Sequence, residues 1–304
     1  MYDVIILGGG PAGVSASLYC KRANKNVLMI YNKDSGLKYA NKIDNYYGFE
    51  NGISGEDLYN AGIKQAQNIG VDTVEEEILK VEIEKYINPN SEEKNDSLFK
   101  VTTNKNSYEA RSIILAFGAK KNTLNIDGIK ELEGKGISYC AICDGFFFKN
   151  KDVAVIGSGN YAISETNDLI NIANKITILT NGEKAPEFRA DNVDIVTKNI
   201  KEISGENRVE EVQFEDGSTI KADGVFIAAG TAGTTEFAKK LGLKTNNDKI
   251  VINENMETNV KGIFACGDCT GGLLQVSKAV YEGSKAGLAV IDYLRWKEDE
   301  NGSY

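Results

Sequence analysis

The chain of 304 residues contains no histidine. That absence removes Ser-His and Cys-His nucleophiles and leaves general acid-base work to Asp, Glu, Lys, Tyr or Cys. Basic charge is also scarce: 35 Lys and Arg stand against 44 Asp and Glu, a formal net charge of −9. Phosphate backbones need a basic face, so general nucleic-acid binding is excluded, and an acidic partner is repelled at long range. No stretch reaches the ~18 uninterrupted apolar residues of a membrane span. The opening "MYDVIILGGG" enters a strand at once, without the basic region, long apolar run and small-residue cleavage site of a signal peptide. These absences lead us to expect a cytoplasmic protein with no membrane partner. Five cysteines are too few for a secreted disulfide scaffold.

What is present is ordinary in bulk and specific in places. Hydrophobic residues at 41% and charged residues at 26% exclude a disordered or fibrous chain. The length suggests two domains of roughly 100–200 residues. In "YDVIILGGGPAGVSASLYC" the apolar run Val4 to Leu7 turns through Gly8, Gly10 and Gly13 into small and apolar residues at helical spacing. Strand, glycine turn and helix in that order bind a pyrophosphate: the first glycine makes the tight turn, the second admits the phosphates, and the third lets helix and strand pack closely. A second copy lies in "KDVAVIGSGNYAISET", where Val153 to Ile156 form the strand and Gly157, Gly159 and Ala162 fill the glycine positions. Two short apolar runs, Ile113 to Lys121 and Gly224 to Gly233, bracket that copy. The expected fold is therefore α/β, with two Rossmann-like domains of the FAD/NAD(P)-binding type and the second inserted within the first. Residues 1–117 and 231–304 would form one domain, and residues 118–230 the other.

A ribose contact is harder to find. An acid at the end of the second strand holds a ribose diol, and a basic group there accepts a 2′-phosphate. The first copy ends "VLMIYNKDSG", with Asp34 the nearest candidate. In the second copy the strand ends at Thr180 and Asn181, so neither discriminating charge is present, and an NAD(P)H site is doubtful. Glu183, Lys184 and Arg189 lie close enough in sequence to substitute, but Glu183 and Lys184 side by side on a polar turn read as solvated surface. Near the carboxy terminus, "GIFACGDCTGG" makes a strand and a Gly-Asp turn before a long helix. Its aspartate can hold a cofactor hydroxyl or cap the helix.

The segment "SYCAICDGFFF", residues 138 to 148, spaces Cys140 and Cys143 as C-x-x-C and follows them with Asp144. In a reducing compartment this spacing is redox-active or metal-binding. Thiol-disulfide exchange suits a chain without histidine, because its nucleophile is a thiolate activated by its surroundings. Asp144 is then placed to manage the proton, or else serves only as a turn residue before Gly145. Cys266 and Cys269 form a second C-x-x-C, and the two pairs together raise the rival of a four-cysteine zinc site. Their separation far exceeds that of a zinc ribbon, so no metal is expected; Cys20, Cys266 and Cys269 read as small buried thiols, with an auxiliary redox role the alternative for Cys266 and Cys269. Phe146 to Phe148 read as packing, and the tail from Lys297 to Tyr304 as disordered.

Taken in order, "GGGPAG", "IDNYYGFENGISGEDL", "AFGA", "CAICDG", "GSGNYA" and "GIFACGD" resemble the low-molecular-weight thioredoxin reductases over essentially the whole chain. The resemblance implies an FAD domain interrupted by a smaller domain carrying the redox disulfide. It implies that Cys143 faces the flavin as the charge-transfer thiolate, that Cys140 attacks the disulfide of thioredoxin or a thioredoxin-like protein, and that Asp144 protonates the departing thiolate. For FAD it implies Gly8, Gly10, Pro11, Ala12 and Gly13 in the pyrophosphate loop, Asn45 beside the flavin, Gly118 at the crossover, and Gly267, Asp268, Gln275 and Val276 as carboxy-terminal contacts. It also implies a homodimer. The chain departs from NADPH-using members: "TNGEKAPEFRA" replaces their His-Arg-Arg cluster and further Arg, with Arg189 the one candidate kept, Leu274 stands where an Arg precedes the flavin-contacting Gln, and "GTAGTT" replaces a Gly-x-x-Pro-Asn-Thr segment. These losses resemble the ferredoxin-dependent flavin thioredoxin reductases, which implies a reduced ferredoxin as electron donor. Docking an acidic ferredoxin on this acidic chain would need a basic patch, for which Lys120-Lys121 and Lys239-Lys240 are candidates.

Overall fold

The computed structural model of the chain describes residues 1–32, 35–86, 96–118, 124–139, 141–229, 234–247 and 249–301. Asp34, Lys120, Lys121, Cys140 and the side chain of Cys143 lie outside the described parts. Two compact units emerge, one from Met1–Lys120 with Leu241–Tyr304 and one from Lys121–Lys240.

The first unit opens with β1 (Tyr2–Leu7), α1 (Pro11–Arg22), β2 (Val27–Tyr31), α2 (Gly55–Asn68), β3 (Asp72–Glu75), β4 (Ile78–Tyr86), β5 (Asp96–Thr103) and β6 (Ser107–Leu115). The second unit holds β7 (Ile137–Ser138), α3 (Ala141–Asp144), β8 (Asp152–Ile156), α4 (Asn160–Leu169), β9 (Lys175–Leu179), β10 (Val193–Val196), β11 (Ile200–Ser204), β12 (Glu211–Phe214), β13 (Thr219–Lys221), β14 (Gly224–Ile227) and α5 (Thr234–Lys240). The chain then returns to the first unit with β15 (Thr245–Asn246), β16 (Lys249–Ile250), β17 (Ile263–Ala265) and α6 (Val276–Asn301).

Each unit is built around its glycine-turn strand. In the first, β1 lies between β2 and β6, both parallel to it, and β3 extends the sheet beyond β2. The strand β6 does double duty: residues Ser107 to Ala110 pair antiparallel with β5, whereas Ile113 to Leu115 pair parallel with β17. In the second unit β8 lies between β9 and β14, with β10 and β7 at the edges, all parallel. The strands β11, β12 and β13 form a separate antiparallel sheet. Val4 to Leu7 and Val153 to Ile156 are buried without interruption. Such unbroken apolar runs are what a parallel strand needs when both faces of its sheet are covered. Both sheets thus agree with the α/β expectation.

The helix α6 corrects one expectation. It continues through Asn301, so residues 297–301 are helical, and the remainder of the expected disordered tail lies outside the described residues. Among the described residues no helix is long and apolar enough to cross a membrane.

Candidate active site

The first glycine loop joins β1 to α1. Gly8 has φ +125°, and a Cβ there would fall 2.2 Å from the Ala116 carbonyl oxygen; a Cβ at Gly13 would fall 1.9 Å from the carbonyl oxygen of Gly8. No other residue type fits either place. Gly10, by contrast, has nothing within 4 Å of its Cβ position, so the loop is open on that side. Gly10 is also the N-cap of α1, with Pro11 following and no acid in the first turn. The first-turn N–H groups therefore have no side-chain cap and favour an anion. Ala12 is buried beneath this turn.

Two further expected contacts meet across the sequence. Asn45 Nδ2 donates a 2.8 Å hydrogen bond to Gln275 Oε1, linking positions 230 residues apart. Gly118 closes the segment after β6 with φ +78°. Gly267 and Asp268 lie in a short 3-10 turn between β17 and α6, and Val276 opens α6. Asp268 Oδ1 is buried and has no hydrogen-bond partner among the described residues. Burial pushes this carboxyl above its ordinary range, against the pull of Lys278 and Lys249. An orphaned buried acceptor costs stability unless a ligand donor meets it.

Two residues that the sequence did not single out hold this turn. Glu282 Oε2 accepts from the Gly267 N–H at 2.8 Å and from the Thr270 hydroxyl at 2.9 Å. Lys278 pairs with Glu282 at 2.8 Å and donates to the carbonyls of Gly267 and Gly271. Only their i, i+4 spacing on the long helix signals them. The open glycine loop, the joined amides and the unsatisfied Asp268 oxygen fit a dinucleotide with a hydroxylated chain, which is the chemistry of FAD.

The second glycine loop has the same backbone and a different lining. A Cβ at Gly157 would fall 2.2 Å from the Ala228 carbonyl oxygen, and Gly159 is the N-cap of α4. Here, however, Ser158 in the loop donates its hydroxyl to Glu183 Oε2. Thr180 Oγ1 donates to the Glu183 carbonyl at 2.6 Å, and Asn181, at φ +50°, accepts from the Ile200 N–H at 2.7 Å. Thr180 and Asn181 are thus consumed in a turn that brings an acid to the loop. Glu183 is not merely solvated surface, because its exposed side chain reaches back to the glycine turn. Lys184 and Arg189 are exposed.

The C-x-x-C segment belongs to the same unit, where α3 packs on α4. Cys143 and Asp144 are in α3, a single helical turn that follows directly on Cys140. Ser138, at the end of β7, donates its hydroxyl to Asp144 Oδ2 at 2.7 Å, so the carboxylate is held and oriented. Phe148 is buried edge-on against Phe226, but Phe146 and Phe147 are 75% and 70% exposed. The packing expectation holds for one of the three aromatics, because the 3-10 turn Gly145–Phe148 directs a single ring inward. The candidate basic patch is also altered: Lys240 is buried on Glu165, and Lys239 pairs with Glu133 at 3.5 Å.

The other cysteines are sequestered. Burial pushes the Cys20 and Cys269 thiols up to about 12 and Cys266 well above its ordinary range. A thiol so shifted is not a nucleophile near neutral pH. Cys269 donates to the carbonyls of Cys266 and Leu115 instead. Among the described residues no group of three or more His, Cys, Asp and Glu side chains is arranged to hold a metal ion.

The sequence pattern of the family described as pyridine nucleotide-disulphide oxidoreductase matches residues 2–283. The chain belongs to that family. Its relatives include thioredoxin reductases: the chain is 37% identical to the thioredoxin reductase of Bacillus subtilis (strain 168), over 97% of this chain and 95% of that protein. The atypical thioredoxin reductase TRi from Desulfovibrio vulgaris Hildenborough superposes with a TM-score of 0.87 at 33% identity, covering 98% of this chain and 99% of that one. A ferredoxin-flavin thioredoxin reductase from Clostridium acetobutylicum superposes at 0.71 with 31% identity, covering 97% and 98%. This pyridine nucleotide-disulphide oxidoreductase is accordingly a flavin-dependent enzyme of the thioredoxin reductase type, with FAD as its cofactor.

Proposed function

We propose that the chain is an FAD-dependent thioredoxin reductase that takes its electrons from reduced ferredoxin and not from NAD(P)H. The observation that carries this reading is the contrast between the two glycine loops. The first leaves a buried acceptor, Asp268 Oδ1, unsatisfied, while the second carries the Glu183 carboxylate on Ser158. A carboxylate at the loop repels the phosphates of a nicotinamide dinucleotide. In this reading the first unit is the FAD domain and the second is the redox domain, a scaffold that has kept the fold without the nucleotide. A cytoplasmic, reducing setting and a homodimer belong to the same reading.

Bound FAD would accept single electrons and deliver two, matching a one-electron donor to a two-electron disulfide. Two electrons and two protons convert the Cys140-Cys143 disulfide to two thiols. Cys140, as the thiolate, attacks one sulfur of the thioredoxin disulfide; a mixed disulfide forms, the substrate S–S bond breaks, and one thiolate departs. Asp144, held by Ser138, supplies the proton to that thiolate. Cys143, as thiolate, then attacks the Cys140 sulfur, which releases the second substrate thiolate to be protonated and restores the enzyme disulfide. The substrate has gained two electrons and two protons. The exposed rings of Phe146 and Phe147 offer an apolar surface beside the dithiol for a protein partner.

An anaerobic titration of the flavin with NADPH, NADH and reduced ferredoxin tests the donor. Bleaching by ferredoxin alone, with reoxidation by a thioredoxin disulfide, is the expected result. Rapid bleaching by either nicotinamide would contradict it. Cys140→Ser is expected to abolish thioredoxin reduction while leaving the flavin bound, as read by thioredoxin turnover and flavin absorbance.

A further inference from the structure

Among the described residues, the most deeply buried ion pair lies against the dithiol turn. Glu165 on α4 and Lys240 on α5 pair through Glu165 Oε1, with side chains 1% and 4% exposed. The other carboxylate oxygen, Oε2, accepts the Ala141 N–H at 2.7 Å. One residue earlier than Cys140, the Tyr139 carbonyl accepts from the Tyr161 hydroxyl at 3.3 Å. Lys240 Nζ also lies 5.1 Å from the centre of the Tyr161 ring. The Tyr139 carbonyl and the Ala141 N–H are therefore held by α4 side chains, and Lys240 contacts both of those side chains.

A brace alone does not need charge. A neutral amide or hydroxyl would accept the Ala141 N–H, and burying an ion pair costs desolvation that apolar residues avoid. The charges do have an electrostatic consequence next to a thiol pair. A carboxylate one residue from Cys140 disfavours a thiolate, and the ammonium opposite favours it. The described charged and titratable groups around α3 are Asp144 on the helix itself, Tyr139 before it, Tyr161, Glu165 and Asp168 on α4, and Lys239 and Lys240 on α5. Lys239 is engaged by Glu133 and lies over the Tyr139 ring at 4.8 Å.

We propose that Glu165 and Lys240 are positioning residues that fix the backbone of Tyr139 and Ala141, the sequence neighbours of Cys140, and set the thiolate population of the dithiol by the balance of their two charges. The inference rests on the reading of Cys140 and Cys143 as the redox pair. It assigns a role to residues outside the C-x-x-C-D segment and outside both glycine loops.

The test compares the holoenzyme with Glu165→Gln, Lys240→Met and the double variant, after reduction and removal of the reductant. Alkylation of Cys140 and Cys143 by iodoacetamide is followed across pH by mass spectrometry, with flavin absorbance and the thermal midpoint as checks on folding. Glu165→Gln keeps an acceptor for the Ala141 N–H and leaves Lys240 unbalanced, so the alkylation profile is expected to move to lower pH. Lys240→Met leaves the carboxylate unbalanced and moves it to higher pH. Each shift is expected to be about one pH unit, roughly tenfold in rate at a fixed pH below the thiol pKa. The double variant should return to the wild-type profile, because the charges are removed together. Three profiles coinciding with wild type, with or without lower midpoints, would leave only a structural brace and overturn the inference. Should Lys240→Met fail to fold, the downward shift of Glu165→Gln decides alone. If wild-type protein yields no reactive thiols at 140 and 143 after reduction, the dithiol reading fails and takes this inference with it. If it does yield them and the variants do not shift, only this inference fails.

Discussion

The two glycine loops share a backbone and differ in charge. Each has a buried parallel strand, a first glycine pressed against a carbonyl oxygen, and a helix whose N-cap is a glycine. Around the first, residues from the far end of the chain gather: Gln275 reaches Asn45, and Asp268 presents a buried oxygen without a partner among the described residues. Around the second, the nearest turn folds back and lays Glu183 on Ser158. The fold supplies a place for a phosphate in both units, and the side chains decide which place is used.

A single introduced acid should separate the two loops by the widest margin. Gly10→Asp has room for its side chain, yet it sets a carboxylate where the pyrophosphate would lie. We expect flavin affinity to fall at least about a hundredfold, by like charge at the loop and at the helix terminus. Gly159→Asp makes the equivalent change in the second loop, where aspartate is a favoured N-cap. Flavin content and ferredoxin-driven turnover should stay within about twofold of wild type, since no phosphate is read there. Flavin absorbance per chain measures both, and an equal loss from the two variants would mean that both loops bind nucleotide.

Asp268→Asn probes the acceptor beside the first loop. Removing one charged hydrogen bond is worth about 1.5–3 kcal/mol, so flavin should dissociate roughly tenfold to a hundredfold more readily. Because burial raises this carboxyl above its ordinary value of 3.8, the native chain binds more protons than the unfolded chain between the two values. Stability without flavin therefore falls as pH rises through that window, and the asparagine variant should lose this slope. Thermal midpoints of flavin-free protein over a pH series check the sign.

How much of this was legible in the sequence depended on distance along the chain. The strand, glycine turn and helix at Val4 to Gly13 could be read because the motif is contiguous in sequence, although Ala116, which presses on Gly8, lies far along the chain. The Gly-Asp turn could be read as a candidate, but Glu282 and Lys278, which hold it, could not, since nothing local distinguishes them from other charges on a long helix. The same applies to Glu165 and Lys240, 75 residues apart and joined only when α4 meets α5. Glu183 was legible as an acid near the ribose position, yet its composition on a polar turn pointed outward. Phe146 and Phe147 misled for the opposite reason: apolar residues in a row imply a core, and only the 3-10 geometry shows that two rings remain outside.

The smallest expected effect belongs to Glu183 itself. Its hydrogen bond to Ser158 is exposed, so Glu183→Ala should shift the thermal midpoint by no more than about 2 °C and leave ferredoxin-driven turnover unchanged. A large loss of turnover in that variant would mean that the second loop takes part in the reaction.

Calorimetric titration of NADPH into the flavin-saturated protein, with the flavin-to-chain ratio determined on the same sample, tests the contrast between the loops most directly. One FAD per chain and no saturable NADPH heat is the result predicted from Asp268 and Glu183. One FAD per chain with stoichiometric NADPH binding, lost in Gly159→Asp, would contradict it and make the second unit a working nicotinamide site.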